Sequence, residues 1–233
     1  MRVLSWNLFQ GRARTPAGRP LLEDFCRTLD TFAWDIALLQ EVPSWWPQPL
    51  AVACAAQQRH VRTARNWVTP VQRAIGARAP DLIKSGGGGC NAILVRGGLR
   101  IAEHRARRLR WWPERRMAHG VLLDGAGWVV NVHAQVRPHA RSRQDIAQAV
   151  GAARAWAGPG PLVLGGDLNV RDPWVEGFLH AAHRSVDHIY ATGGWAVAVA
   201  GETLDAGGLS DHRPIAVTLR GGDANGAAET GVA

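Results

Sequence analysis

Short apolar runs recur along this chain, and nearly every one stops at a carboxylate, an amide or an imidazole. Residues 3–6 lead to Asn7, residues 35–39 to Glu41, residues 128–132 to His133, and residues 161–165 to Asp167 and Asn169. Asp187 and the Asp211 and His212 pair flank two further runs. In sheet-based folds the rigid strands aim side chains from the short loops at their ends, and active sites gather there. The pattern therefore predicts a sheet-based fold with a polar site along one rim.

Local signals sharpen this reading. Residues 1–8 have strand character and 11–20 read as a loop. Residues 21–32 carry Leu21, Leu22, Phe25, Leu29 and Phe32 at helical spacing, an amphipathic helix. Residues 35–39 follow as a buried strand, so the chain opens with a strand–helix–strand α/β unit. A second helix is predicted over 50–58, while 62–85 gives no clear signal. Gly86 to Gly89 form a flexible turn without the lysine and hydroxyl of a phosphate-binding loop, and 91–95 is a short strand. Residues 120–124 and 128–133 read as a hairpin around Asp124 and Gly125. Residues 142–157 are helical by composition and are closed by Gly158, Pro159 and Gly160. Strands are expected at 161–165, 185–190, 196–199 and 214–219.

At 233 residues the chain fits one domain, over 1–220, with 221–233 a small polar tail expected to be disordered. A formal net charge of +8 suits a phosphate-bearing partner. Lys84 is the only lysine, however, and arginine abounds together with alanine and glycine. A GC-rich genome would produce the same bias, so charge leaves both readings open. Cys26, Cys54 and Cys90 lie far apart without metal-ligand spacing and read as buried, reduced thiols. The opening MRVLSWNLFQ lacks the long apolar core and cleavage site of a signal peptide. No stretch reaches the roughly 18 apolar residues that span a bilayer. A cytoplasmic location is expected.

The polar set at the run ends has a definite chemistry. Hydrolysis of a phosphate ester needs an activated water, neutralisation of the phosphoryl oxygens and help for the leaving oxygen. Glu41, Asp167, Asp187 and Asp211 are carboxylates, Asn7 and Asn169 amides, His133 and His212 imidazoles. The oxygen donors among them are hard ligands suited to Mg²⁺, which keeps several waters and needs few carboxylates. The tight His/Cys clustering of a zinc site is absent. Arg116 is a candidate phosphate contact, since guanidinium geometry matches phosphate oxygens, or else a solvated arginine. The Trp45–Trp46 and Trp111–Trp112 pairs read as stacking platforms, as rims of a cleft, or as core.

The segments SWN (5–7), LLQEV (38–42), VNVHAQ (130–135), LGGDLNV (164–170), VDHIY (186–190) and LSDHRPI (209–215) resemble, in order, the motifs of the endonuclease/exonuclease/phosphatase superfamily. The resemblance implies a four-layer α/β (α+β) sandwich of two facing mixed β-sheets flanked by helices. It implies Mg²⁺, with Mn²⁺ as a substitute, bound by Glu41 with Asn7 beside it and Asp211 as a further ligand or supporting acid. Asp167 and Asn169 would orient the attacking water and the scissile phosphate, and His212 would face the phosphate, held by Asp187. His133 stands where abasic-site endonucleases generally have tyrosine, which favours the deoxyribonuclease and sphingomyelinase branches and a general-acid role. Those nucleases support this histidine with a second glutamate, and none is evident between residues 66 and 100. The implied function is a nuclease cleaving DNA or RNA. The alternatives are a phosphatase or phospholipid phosphodiesterase using the same site, and a non-catalytic binding module.

Overall fold

The computed structural model describes residues 1–63 and 89–221. The strands are β1 (Arg2–Asn7), β2 (Ile36–Pro43), β3 (Gln57–Arg62), β4 (Gly89–Val95), β5 (Ile101–Arg110), β6 (Arg116–Leu123), β7 (Gly127–His133), β8 (Leu162–Asp167), β9 (Leu179–Arg184), β10 (Asp187–Thr192), β11 (Trp195–Thr203) and β12 (Ile215–Gly221). The described helices are α1 (Leu22–Thr31), α2 (Pro47–Ala53) and α3 (His139–Ala157), with a 3₁₀ turn at Phe9–Gly11. One six-stranded sheet has the order β11-β12-β1-β2-β4-β3, the other β5-β6-β7-β8-β10-β9.

Strand alternation sorts the apolar residues into layers. Val3, Ile36, Leu38 and Ile93 from the first sheet face Val121, Val129, Val163 and Ile189 from the second. The opposite side of the first sheet, with Leu4, Trp6, Leu39 and Leu94, is covered by Phe25 and Leu29 of α1 and Leu50 of α2. Behind the second sheet, Val130, Val132, Leu162 and Leu164 lie under Ile146, Ala149 and Ala153 of α3. The result is the expected four-layer sandwich, helix, sheet, sheet, helix.

Each sheet is built around a parallel pair, β1 with β2 and β7 with β8, while its other pairings are antiparallel. The crossovers run through α1 and α3, since parallel neighbours need a long connection. Ligands of α/β sheets bind outside the carboxyl ends of such strands. Asn7, Glu41, His133 and Asp167 lie at those ends of β1, β2, β7 and β8.

Some local expectations change. The helix expected at 50–58 is α2, which starts at Pro47 and ends where Ala55 adopts φ +49°; the chain then becomes edge strand β3. Proline is tolerated in the first helical turn, so Pro47 and Pro49 open this helix and do not exclude it. β5 and β9 carry no strand signal in the sequence because both are edge strands whose exposed sides are polar, as in EHRARRLR. Trp46 is 6% exposed, packed beside Phe25 with ring centroids 5.3 Å apart, and Trp45 packs against the same core. That pair is core and not a platform. Cys54 and Cys90 are buried and Cys26 half-buried; burial pushes the Cys54 and Cys90 thiols up to about 12, so both stay protonated. The turn at 86–88 and the tail beyond Gly221 lie outside the described residues. Among the described residues, no helix is long and apolar enough to cross a membrane.

Candidate active site

A row of three residues crosses the second sheet at its rim. In the strand register His133 sits opposite Asp167, and Asp167 opposite Asp187. Asp167 is 2% exposed, and both of its oxygens are held. Oδ1 accepts the backbone N–H of Asn169 at 3.0 Å, and Oδ2 accepts Nδ2 of Asn7 at 3.0 Å. The second bond spans the two sheets, so this buried carboxylate ties them together at the rim.

Glycine makes the approach possible. Gly166 has φ +138°, and a Cβ there would lie 1.9 Å from the Val132 carbonyl oxygen. A Cβ on Gly165 would press on Leu38 of the facing sheet at 2.9 Å. Gly165 lets β8 approach the first sheet, and Gly166 lets it pass its own neighbour β7, so that Asp167 reaches the rim. Asn169 lies just beyond, at φ +53°, with Nδ2 donating to the Ala134 carbonyl at 3.0 Å.

Glu41 comes from the other sheet by a different device. The β2–β4 register shifts between Leu39 and Val42, and Glu41 adopts φ +49°, so a bulge turns its side chain to the rim. Its Oε2 accepts Gln10 Nε2 at 3.3 Å, and its Oε1 lies 3.8 Å from His133 Nε2. That same Nε2 is 3.6 Å from Asp167 Oδ2, beyond hydrogen-bonding range, and is buried without a partner among the described residues.

His212 arrives from the loop before β12. Its Nδ1 is 2.8 Å from Asp187 Oδ2, and its Nε2 is 3.8 Å from Asp167 Oδ2. Asp187 Oδ1 is buried and, among the described residues, unpartnered. Asp211 is exposed at the edge of the group, with Ser210 Oγ 3.5 Å from its carboxylate. Arg116, the first residue of β6, is buried at 4% exposure and pairs with Glu114. It is part of a strand and not a solvated arginine. All nine residues singled out in the sequence thus lie at one end of the sandwich.

Sequence reasoning missed the layer beneath them. Gln40 donates to Asn131 Oδ1 at 2.8 Å, and Asn131 donates to the carbonyls of Leu39 and Ala92 at 2.9 Å each. These buried amides join the sheets under the rim and fix the spacing of the two halves. Their signal is an amide interrupting an apolar run, LLQE and VVNVH.

The electrostatics follow from burial and from acids crowding together. Burial, and then the neighbouring Asp187 carboxylate, push the Asp167 carboxyl up to about 7. Burial raises Asp187 as well, against the pull of His212. Burial alone would lower His212, but its hydrogen bond to Asp187 and the Asp187, Asp167 and Asp211 charges prevail and raise it to about 9. Burial, then the charges of Arg116 and His212, hold His133 well below the usual histidine range. One imidazole is cationic near neutrality and the other neutral.

The pair has a consequence for stability. The folded-state value of His212 lies above the unfolded one, so its contribution is fully present below about pH 6.5 and is lost as pH rises through about 9. The loss should be on the order of 3 kcal/mol. Urea titrations in chelator at about pH 6 and about pH 10 check this. The wild type should fall more steeply than Asp187→Asn, and parallel profiles would remove the charged pair.

Two facing mixed sheets carrying acids, amides and imidazoles on one rim define the deoxyribonuclease-like class of α/β sandwich. Residues 4–212 match the model of the endonuclease/exonuclease/phosphatase family, and the chain belongs to that family of phosphoesterase-type hydrolases, whose members are generally divalent-metal dependent. No curated protein matches it in sequence. Solved structures share the fold at low identity. An endonuclease/exonuclease/phosphatase from Beutenbergia cavernae superposes with TM-score 0.71 at 20% identity, over 95% of this chain and 72% of that one. TDP2 from Caenorhabditis elegans gives 0.66 at 16% over 94% and 74%. The mannosyl-6-phosphatase Bt3783 of Bacteroides thetaiotaomicron gives 0.63 at 15% over 94% and 99%.

Proposed function

We propose that residues 1–220 form a Mg²⁺-dependent phosphodiesterase, a nuclease that cleaves DNA or RNA by attack of water. The observation that carries the reading is the buried Asp167 carboxyl, held by Asn7 and Asn169, with a cationic His212 at 3.8 Å and a neutral His133 at 3.6 Å. A buried carboxylate fixed by two hydrogen bonds at the rim is positioned to take a proton from an attacking water.

The donor set fits a hard divalent cation. Glu41, Asn7 and Asp211 offer oxygen ligands at the rim, and the crowded acids around Asp167 gain from any positive charge brought among them. Asp167, Asp187 and His212 also bring one ligand atom each within 4.8 Å of one another. A bound Mg²⁺ would supply Lewis-acid neutralisation of the phosphoryl oxygens.

The protein's own groups divide the remaining work. Asp167 accepts the proton of the attacking water, and Asn169 beside it helps fix the phosphate. His212 keeps its Nδ1 proton on Asp187 and directs Nε2–H at the phosphoryl oxygens, where developing negative charge meets an imidazolium. His133, neutral in the free protein and unpartnered at Nε2 among the described residues, would take a proton from solvent when an approaching phosphate raises its proton affinity, and would give that proton to the leaving oxygen. Arg116 stands behind it as a guanidinium for phosphate.

The test is a panel of single-stranded DNA, duplex DNA, RNA, sphingomyelin, phosphoinositides and sugar phosphates, each with Mg²⁺, with Mn²⁺ and with chelator. Cleavage of polynucleotide that stops on chelation and resumes on adding Mg²⁺ is expected. Turnover confined to lipid or to small monoesters would move the function to the phospholipase or phosphatase alternative. Inactivity on every ester with either metal would leave only the binding-module reading.

A further inference from the structure

Strand β5 is the edge of the second sheet, and its outward surface is basic. Arg105 and Arg107 stand on its α3 side, where Arg105 lies over the Trp128 ring, Arg110 reaches α3, and Arg108 falls on the opposite face, so guanidinium groups flank both sides of the free edge. Glu103 neutralises Arg105, and Asp145 neutralises Arg110. Among the described residues, no carboxylate pairs with Arg107 or Arg108. The edge of the first sheet, β3, packs alongside and adds Arg59 and Arg62. Burial first, then the Arg59 and His60 charges, hold His104 of β5 below its usual range, which records how close the two edges lie.

This basic edge leads to the catalytic rim. Arg110 is registered opposite Arg116, and Ala118 opposite Val132, so the turn after β5 lies at the end of the sandwich that carries His133 and Asp167. At that turn Trp111 and Trp112 are 54% and 63% exposed. The guanidinium of Arg108 lies 5.4 Å from the Trp111 ring centre, and that of Arg141, from the start of α3, lies 5.5 Å from Trp112.

We propose that β5 and the Trp111–Trp112 turn form a track for single-stranded nucleic acid that delivers its backbone to the rim. The proposal rests on the phosphodiesterase reading above and narrows its substrate class. Guanidinium groups contact successive phosphates, while exposed indoles offer faces on which any unpaired base can stack. Charge alone would be explained by the protection that edge strands need against pairing with other chains. Exposed indole works against that protection, and the open parts of the Trp111 and Trp112 rings offer area to a flat apolar group. A strand of ten residues is also a line roughly 33 Å long, the shape of a polymer's path more than of a membrane patch. The track answers a physical problem as well. The rim carries Glu41, Asp167, Asp187 and Asp211, a field that repels polyanions, and arginines beside it offset that repulsion.

The experiment is fluorescence anisotropy of a dye-labelled oligothymidylate with the full chain in EDTA, over a range of salt. The wild type should bind with a log–log salt slope of about −0.7 per phosphate contacted. Arg107→Glu with Arg108→Glu should weaken binding at least tenfold and flatten the slope by about 1.4, that is about 0.7 for each lost contact. Arg107→Lys with Arg108→Lys should keep the slope. Trp111→Ala with Trp112→Ala should weaken binding about tenfold without changing the slope. Equal binding by wild type and both loss variants overturns the track. So does a charge-reversal effect seen only with phosphatidylserine vesicles. Should a variant fail to melt cooperatively, photocrosslinking of wild type to a 4-thiothymidine oligomer decides the matter. Crosslinks within 103–116 support the track and crosslinks elsewhere overturn it. Hydrolysis of bis(p-nitrophenyl) phosphate by the wild type is a separate readout, whose failure counts against the phosphodiesterase reading alone.

Discussion

Asp167→Asn should lower the rate of phosphoester hydrolysis by about 10³-fold while leaving the fold intact. Asparagine has nearly the same shape, and its one amide oxygen can still accept from Asn7 or from the Asn169 backbone. What it lacks is an oxygen that can take a proton from water at neutral pH. Stability should change little, because removing a buried carboxyl that its surroundings drive up to about 7 offsets the one hydrogen bond lost where the new amide N–H meets a donor. Single-turnover rates and urea midpoints on the same preparation test both halves. An Asp167→Asn rate within tenfold of wild type would take Asp167 out of the chemistry and return the general-base role to Asp187 or a histidine.

The second large effect should be on metal affinity. Glu41→Ala is expected to raise the Mg²⁺ concentration for half-maximal activity by about 100-fold or more, since losing even an outer-shell partner of a ligand costs roughly 10–100-fold. The backbone argument goes with it. Glu41 holds φ +49° within a bulge, an uncommon conformation for a side-chain-bearing residue, and such strain is retained where it aims a functional group. Glu41→Gly should therefore be as poor in metal binding as the alanine variant yet no less stable, because glycine adopts that φ freely. Calorimetric Mg²⁺ titration and thermal melts of the two variants separate aim from strain. An unchanged Mg²⁺ isotherm for Glu41→Ala would move the cation to the Asp167, Asp187 and His212 group.

Much of this is legible in the linear chain because the relevant signals are local. Leu21 to Phe32 has helical periodicity whatever surrounds it. A run such as LVLGGD must be buried and must then break at its acid. Periodicity fails at the edges. EHRARRLR alternates no apolar face, and it is a strand only because β6 supplies hydrogen-bond partners for one side of it. Trp45 and Trp46 allow a platform, a cleft rim or a core reading in the sequence, and the presence of Phe25 beside Trp46 makes them core.

The linear order of residues was enough to say which side chains could carry the chemistry, since acid, amide and imidazole at run ends are chosen by burial rules that act within a few positions. How those side chains act on one another was set by folding alone. Hydrogen bonds and charge interactions fall off within a few ångströms, and the chain separation between Asn7 and Asp167 or between Asp187 and His212 carries no information about such distances. The same two imidazoles, identical as letters in the chain, become one cation and one neutral group because His212 meets Asp187 at 2.8 Å while His133 is buried beside Arg116.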